Sequence, residues 1–209
     1  MSEIEQELQA LQDIRKMMEK SSRFISLSGW SGVSAGFAAL AGAFLAHQRI
    51  TNYFANWSID DSCPDCLMRD LILIAGGVFL VALSTAFLFT WTKAKKEGVA
   101  IWGTTSKRLL WNTILPMGVG GVVILRMISL QYYDLVAAVS LIFYGLALIN
   151  GSKYTLGEVK YLGYAIVITG LIGLWIPRQG LLLWALGFGV LHILYGFTMW
   201  WKYERRTDE

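Results

Sequence analysis

Two cysteines, Cys63 and Cys66, are the only ones in the 209-residue chain, and two residues separate them. Thiols at this spacing form either a local disulfide or a redox pair that exchanges with other thiols. Four aspartates flank them: Asp60, Asp61, Asp65 and Asp70. No histidine lies at a spacing suited to completing a metal site, so we predict no metal and no cofactor. A structural disulfide is the favoured interpretation, and thiol–disulfide activity is the alternative.

His192 is the second group with chemical potential, because it lies in the middle of a long apolar run. An ionisable side chain in such a position must find polar partners inside the protein. Three residues qualify by their position and type: Tyr144, Tyr195 and Ser140. The favoured interpretation is a neutral imidazole hydrogen-bonded between helices. The alternative is a group that lines a pathway for a small solute or an ion.

Six apolar runs occupy most of the chain, at 24–46, 71–91, 109–130, 132–150, 159–176 and 181–201. A helix of about 20 residues crosses the hydrocarbon core of a bilayer. The composition agrees, with 55% hydrophobic and 16% charged residues and a mean hydropathy of +0.49. These features predict an all-α polytopic membrane protein, with a six-helix bundle over 24–203 and a short tail at 204–209.

The basic residues predict how the chain is threaded. They concentrate before the first run, in every second gap and after the last run, as the positive-inside rule requires for cytoplasmic segments. We therefore expect both termini in the cytoplasm and, without a cleavable signal peptide, a multi-pass protein of the bacterial inner membrane. Because these residues are scattered over four segments, they predict no nucleic-acid partner.

Residues 1–23 form a separate element with apolar residues at helical spacing: Ile4, Leu8, Leu11, Ile14 and Met18. This pattern predicts an amphipathic cytoplasmic helix. It lies either on the membrane surface or the bundle, or it docks a protein partner or a second copy through residues 1–20. A long outer loop is expected over residues 47–70.

Small residues predict where helices approach one another closely. The glycines singled out for packing are Gly32, Gly36, Gly118, Gly121 and Gly170. The stripe in the first run also permits a homo-oligomer. Pro116 lacks an N–H and should leave the carbonyl one turn before it without its helical partner.

The second half of the chain contains a repeat. Residues 142–145 (Ile-Phe-Tyr-Gly) align with residues 193–196 (Ile-Leu-Tyr-Gly) at an offset of 51. Short turns near 131–134 and 177–180 join consecutive runs into hairpins. We interpret the bundle as parallel copies of a helical hairpin.

The Cys63–Cys66 loop resembles that of the bacterial disulfide-bond membrane oxidases, which also need a second cysteine pair that this chain lacks. The last two runs, through residues 161–164, 187–196 and 200–203, resemble small bacterial inner-membrane proteins of unassigned function. The hairpins resemble, in architecture, the HdeD-type acid-resistance membrane proteins. The resemblance implies six helices in repeated hairpins and a stress-related or accessory role, and it transfers no site residues.

No phosphate-binding loop, metalloprotease motif or nucleophile elbow is present in the sequence. We therefore predict a non-enzymatic membrane scaffold or accessory protein with a cytoplasmic docking helix. A channel or transporter near His192 and a thiol–disulfide protein are the alternatives.

Overall fold

A computed structural model describes residues 28–55, 63–96, 98 and 101–205, except the side chains of Pro177 and Glu204. Within these residues the protein is all-α and has no strand, which confirms the all-α part of the predicted fold class. The helices are α1 Gly29–Ala55, α2 Pro64–Lys96, α3 Thr104–Ser129, α4 Val136–Gly151, α5 Val159–Trp175 and α6, residues 180–204. The predicted docking residues Ile4, Leu8, Leu11, Ile14 and Met18 lie outside the described residues.

Helix α6 is a single rod with two changes of winding. π-helical segments at Ala185–Val190 and Trp200–Glu204 alternate with α-helical segments at Gly180–Trp184 and Leu191–Met199. In a π-helical turn the backbone hydrogen bonds are displaced by one residue, so a carbonyl can be left for a side chain. In the first π segment, the carbonyl oxygen of Gly187 accepts a hydrogen bond from a side chain, as described below.

Five helices are long and apolar enough to cross a membrane, and α5, with 17 residues, is the shorter sixth. The predicted outer loop at 47–70 is smaller than expected. Helix α1 continues to Ala55, since no glycine or proline interrupts the chain between Gly42 and Pro64. Helix α2 already begins at Pro64, a residue well suited to the first helical position.

The helices pack around α4 and α6. Helix α4 contacts α3, α5 and α6, and α6 also contacts α1 and α5, whereas α2 packs mainly against α1. Paired positions show that α4 and α6 run in the same direction, because Leu141 lies at Gly187 and Tyr144 at His192. The other neighbours are antiparallel, with Gly42 against Val78 in one pair and Gly120 against Phe143 in another.

A reciprocal glycine contact brings α4 and α5 together. A Cβ added to Gly145 would stand 2.8 Å from the carbonyl oxygen of Gly163, and one added to Gly163 would stand 2.9 Å from that of Gly145. Further along the pair, Gly170 faces the backbone of Ala138 and Ile142. The two backbones touch here, which only glycine permits.

Helices α6 and α1 meet through equivalent contacts. A Cβ on Gly196 would lie 2.5 Å from the carbonyl oxygen of Gly29, and one on Gly29 would lie 2.5 Å from that of Gly196. Gly36 faces the backbone of Gly189 and Ile193. Gly196, Gly189 and Ile193 are the residues that the offset of 51 places on Gly145, Ala138 and Ile142. The repeated residues thus make the same contacts on α4 and on α6.

Helices α2 and α3 lie at the edges of the bundle. Among its 33 residues α2 buries only Ala94, and α3 buries only Gly120. Large apolar side chains cover their outer faces, including Leu73, Leu80, Phe87, Trp111, Val122 and Leu125. These two helices therefore present apolar surface rather than a core.

On α3 the packing glycine is Gly120, and the two predicted ones, Gly118 and Gly121, are corrected. A Cβ on Gly118 or Gly121 would meet nothing within 4 Å, whereas one on Gly120 would collide with the side chain of Phe143. Gly120 lies seven residues, two helical turns, after Thr113, which also faces α4, so these two residues share the contact face. Gly32, Gly36 and Gly170 do lie at helix contacts.

Candidate functional site

The π segment of α6 prepares one side of the His192 site. Nδ1 of His192 lies 3.0 Å from the carbonyl oxygen of Gly187, five residues earlier. A carbonyl oxygen can only accept, so Nδ1 carries the proton and donates it to Gly187. The sequence gives no signal for this bond, because an ordinary α-helical turn does not leave that carbonyl for a side chain.

Tyr144 of α4 completes the site. Its hydroxyl lies 2.9 Å from Nε2 of His192. Since Nδ1 holds the ring proton, Nε2 of the neutral imidazole accepts and the Tyr144 hydroxyl donates. Both ring nitrogens are thus engaged, and the imidazole joins α4 to α6.

Aromatic rings cover this pair. The Phe188 ring is stacked on His192 with centroids 6.1 Å apart, and it lies 4.9 Å from the Tyr144 ring. Trp184 extends the same face of α6, at 5.0 Å from Phe188. His192 is only 6% exposed, and a buried imidazole with both nitrogens bonded serves well as a fixed link.

The other two residues expected near His192 have different roles. The Ser140 hydroxyl donates to the carbonyl oxygen of Ala137 at 2.8 Å, within its own helix. Tyr195 packs against the apolar clusters centred on Leu141 and Leu156. Of the three candidates, only Tyr144 hydrogen-bonds the imidazole.

A second polar contact follows from Pro116. The carbonyl that this proline leaves without its helical donor belongs to Asn112, and it accepts a hydrogen bond from Nδ2 of Asn150 at 2.9 Å. The partner amide lies on α4, so the bond joins α3 to α4. The free carbonyl was predictable from the sequence, but its partner, 38 residues away, was not.

A third polar contact joins the start of α5 to the end of α6. Glu158, just before α5, accepts hydrogen bonds from Lys202 and, at 2.6 Å, from the Tyr203 hydroxyl of α6. Partial burial raises the pKa of the Glu158 carboxyl, but the bonds from Lys202 and Tyr203 outweigh it and hold that pKa below its usual value. No pattern in the sequence brings the end of α6 to Glu158, so this contact was not predicted.

The cysteine pair lies apart from these contacts, at the start of α2. Cys63 and Cys66 are joined by a disulfide, their Cα atoms are 5.2 Å apart, and both residues are exposed. The backbone N–H of Cys66 also points at Sγ of Cys63, 3.2 Å away. Arg69 and Arg49 lie near Asp70, one turn further along, at 3.8 and 3.9 Å.

No protein-family model, curated protein or solved structure matches this chain. In the part of the chain that the structure describes, no three His, Cys, Asp or Glu side chains lie together as a metal site. In the described helices, the polar contacts between elements include the His192–Tyr144 pair, the Asn112–Asn150 pair, the Glu158 contact and the Arg49–Asp70 pair, and the disulfide lies at the start of α2.

Proposed function

We propose that this protein is an integral membrane scaffold or accessory protein whose six helices cross the bilayer. One observation carries the membrane assignment: the two edge helices bury almost none of their apolar side chains. In water such a surface would associate, because it far exceeds the apolar patches that soluble monomers expose. Lipid chains are the solvent that suits it.

The direction of the helices supports the proposed orientation. Because neighbouring helices are antiparallel and α4 is parallel to α6, the starts of α1, α3 and α5 lie on the same side of the bundle as the ends of α2, α4 and α6. That side carries Lys93, Lys95, Lys96, Lys107, Arg108, Lys153, Lys160, Lys202 and Arg205. The opposite side carries Arg49, Arg69, Arg126 and Arg178. The larger basic set favours a cytoplasmic location for the first side, and with it both termini.

The polar contacts between helices favour a scaffold over a conduit. His192, the deep ionisable residue, is bonded at both nitrogens and covered by Phe188. A group that passes ions or protons needs a free site or water beside it. The polar contacts instead join α4 to α6, α3 to α4, and α5 to α6, which stabilises one arrangement of helices.

Reporter fusions test the threading. An alkaline phosphatase reporter, active only outside the cytoplasm, should be inactive at residues 3 and 209 and active in the turns at 131 and 178. A fluorescent protein that matures in the cytoplasm should give the opposite pattern. Reporters at the two termini that respond as if on different faces would disprove the proposed orientation.

Co-purification tests the scaffold role. Replacing Leu8 and Leu11 by Glu should remove a bound partner, because the change destroys the predicted apolar face of the N-terminal helix. Replacing Gln6 and Gln9 by Glu supplies the same added charge at polar positions and should leave the partner bound. The docking hypothesis fails if both variants retain identical partners at equal amounts.

A further inference from the structure

The Cys63–Cys66 disulfide connects nothing that the backbone does not already connect. Both residues belong to the first turn of α2, where the N–H groups of Cys66 and Leu67 already bond to the carbonyl oxygen of Cys63. A loop this short gains about 2 kcal/mol at most from cross-linking, because the stabilisation decreases as the closed loop becomes shorter. A bridge meant to hold the fold would join separate elements.

The position of Cys63 favours reactivity. It directly precedes α2, as the N-cap residue, and its sulfur accepts the N–H of Cys66 as a capping oxygen would. A thiolate there is stabilised by that N–H and by the positive end of a 33-residue helix. Both effects favour the thiolate form of Cys63 and make it a good leaving group.

The surroundings leave the pair accessible. Cys63, Pro64, Asp65 and Cys66 are all exposed. Asp65 lies between the two cysteines in the sequence. One turn after Cys66, Asp70 lies 3.8 Å from Arg69 and 3.9 Å from Arg49 of α1, so both signs of charge are present on this part of α2.

We propose that Cys63 and Cys66 form a thiol–disulfide exchange site that oxidises dithiols of protein partners. A partner thiolate attacks Sγ of Cys63, the Cys63–Cys66 bond breaks, and Cys66 leaves as a thiolate that takes up a proton. The second thiolate of the partner then attacks the partner's sulfur in the mixed disulfide. The bond to Cys63 breaks, and Cys63 is released as a thiolate. The partner gains a disulfide, and this protein gains two electrons as a dithiol. A second disulfide compound restores the oxidised pair by the reverse steps.

Equilibration with glutathione tests the site on the full-length protein in detergent. After incubation in about 10 mM reduced and about 1 mM oxidised glutathione, thiols are counted by maleimide mass shift; structural disulfides stay oxidised in such a mixture. We expect a substantial dithiol fraction in the native protein that disappears when the oxidised component is raised. A disulfide that stays fully intact in this buffer overturns the proposal.

Single-cysteine variants test the role of Cys63. Cys66→Ser leaves Cys63 free, and Cys63→Ser leaves Cys66 free, so the two are matched in charge and in number of thiols. At neutral pH, the free Cys63 of Cys66→Ser should form a mixed disulfide with oxidised glutathione at least about tenfold faster than the free Cys66 of Cys63→Ser. The alkylation rate of Cys63 should rise at a lower pH than that of an ordinary thiol. Equal rates for the two variants, or an ordinary titration of Cys63, contradict the proposal.

Discussion

The α4–α5 and α6–α1 crossings place equivalent residues in equivalent contacts, yet α6 carries a buried histidine at the position where α4 carries a leucine. Gly145 meets Gly163 and Val167 in the first crossing, as Gly196 meets Gly29 and Val33 in the second. The position of His192 on α6 corresponds to Leu141 on α4, which is fully buried.

This difference separates packing from polar linkage. The α4–α5 crossing forms from glycines and apolar side chains alone, so the crossing itself requires no imidazole. On α6, the carbonyl oxygen of Gly187 in the π segment accepts from Nδ1 of His192, and Nε2 of the same ring meets the Tyr144 hydroxyl. Gly187 also leaves space for the Leu141 side chain. The polar link therefore fixes α6 to α4 and is additional to the glycine crossing.

Substitution of the crossing glycines should have the largest effect. In Gly196→Ala, the new Cβ would lie 2.5 Å from the carbonyl oxygen of Gly29 and 2.6 Å from the nitrogen of Val33, so two backbones must separate. We expect a loss of about 3 kcal/mol in the free energy of unfolding, measured in detergent, and a slightly smaller loss for Gly145→Ala.

Gly118→Ala is the matched control for these variants. The added methyl meets no atom within 4 Å, so the higher helix propensity of alanine should leave stability unchanged or raise it by up to about 1 kcal/mol. If both variants lost the same free energy of unfolding, the loss would come from replacing any glycine and not from the contact between the helices.

Replacement of the polar link should have an intermediate effect. His192→Leu introduces the residue type found at the equivalent position of α4 and leaves the Tyr144 hydroxyl buried without its acceptor. We expect the free energy of unfolding to fall by about 1–3 kcal/mol. Adding Tyr144→Phe should recover part of it, because the unpaired hydroxyl is removed. Calorimetry of the four proteins gives the coupling energy, and strictly additive effects would exclude a link between the two side chains.

The Asn150 contact should contribute less and should depend on Pro116. Asn150→Ala removes the donor to the Asn112 carbonyl, and we expect a loss of about 1 kcal/mol. In a Pro116→Ala background, residue 116 regains an N–H for that carbonyl, so the same change should matter less. Chemical denaturation measures the effect of Asn150→Ala on the free energy of unfolding, once with Pro116 and once with Pro116→Ala. An equal effect in both backgrounds would argue against the proposal that Asn150 replaces the donor that Pro116 lacks.

The Glu158 contact should give the smallest effect, and this effect should depend on pH. Because its pKa is lowered in the folded protein, its stabilisation is present at neutral pH and is lost as pH falls below the ordinary carboxyl value toward the lowered one. The contact is mostly exposed, so we expect less than about 1 kcal/mol. Thermal unfolding between pH 7 and about pH 3 should show this loss in the native protein and not in Glu158→Gln.

Local patterns explain what could be predicted for the site. Spacing alone identified the cysteine pair, the free carbonyl before Pro116 and a buried His192 that needs a partner. It offered three partners for the imidazole without a basis for choosing, and it shifted the packing glycine of α3 by up to two residues. Asn150 and the Glu158 contact were missed, because each joins helices that lie far apart in the chain.

The sequence by itself determined the helical class, the number of apolar helices and the repeated residues at an offset of 51, because hydropathy and periodicity are properties of consecutive residues. Only the tertiary structure decided which helices carry those residues into contact. The second crossing joins α6 to α1, the last helix to the first described one, and the π segment reshapes α6 around His192. Contacts of this kind depend on how whole helices pack, and no local pattern encodes them.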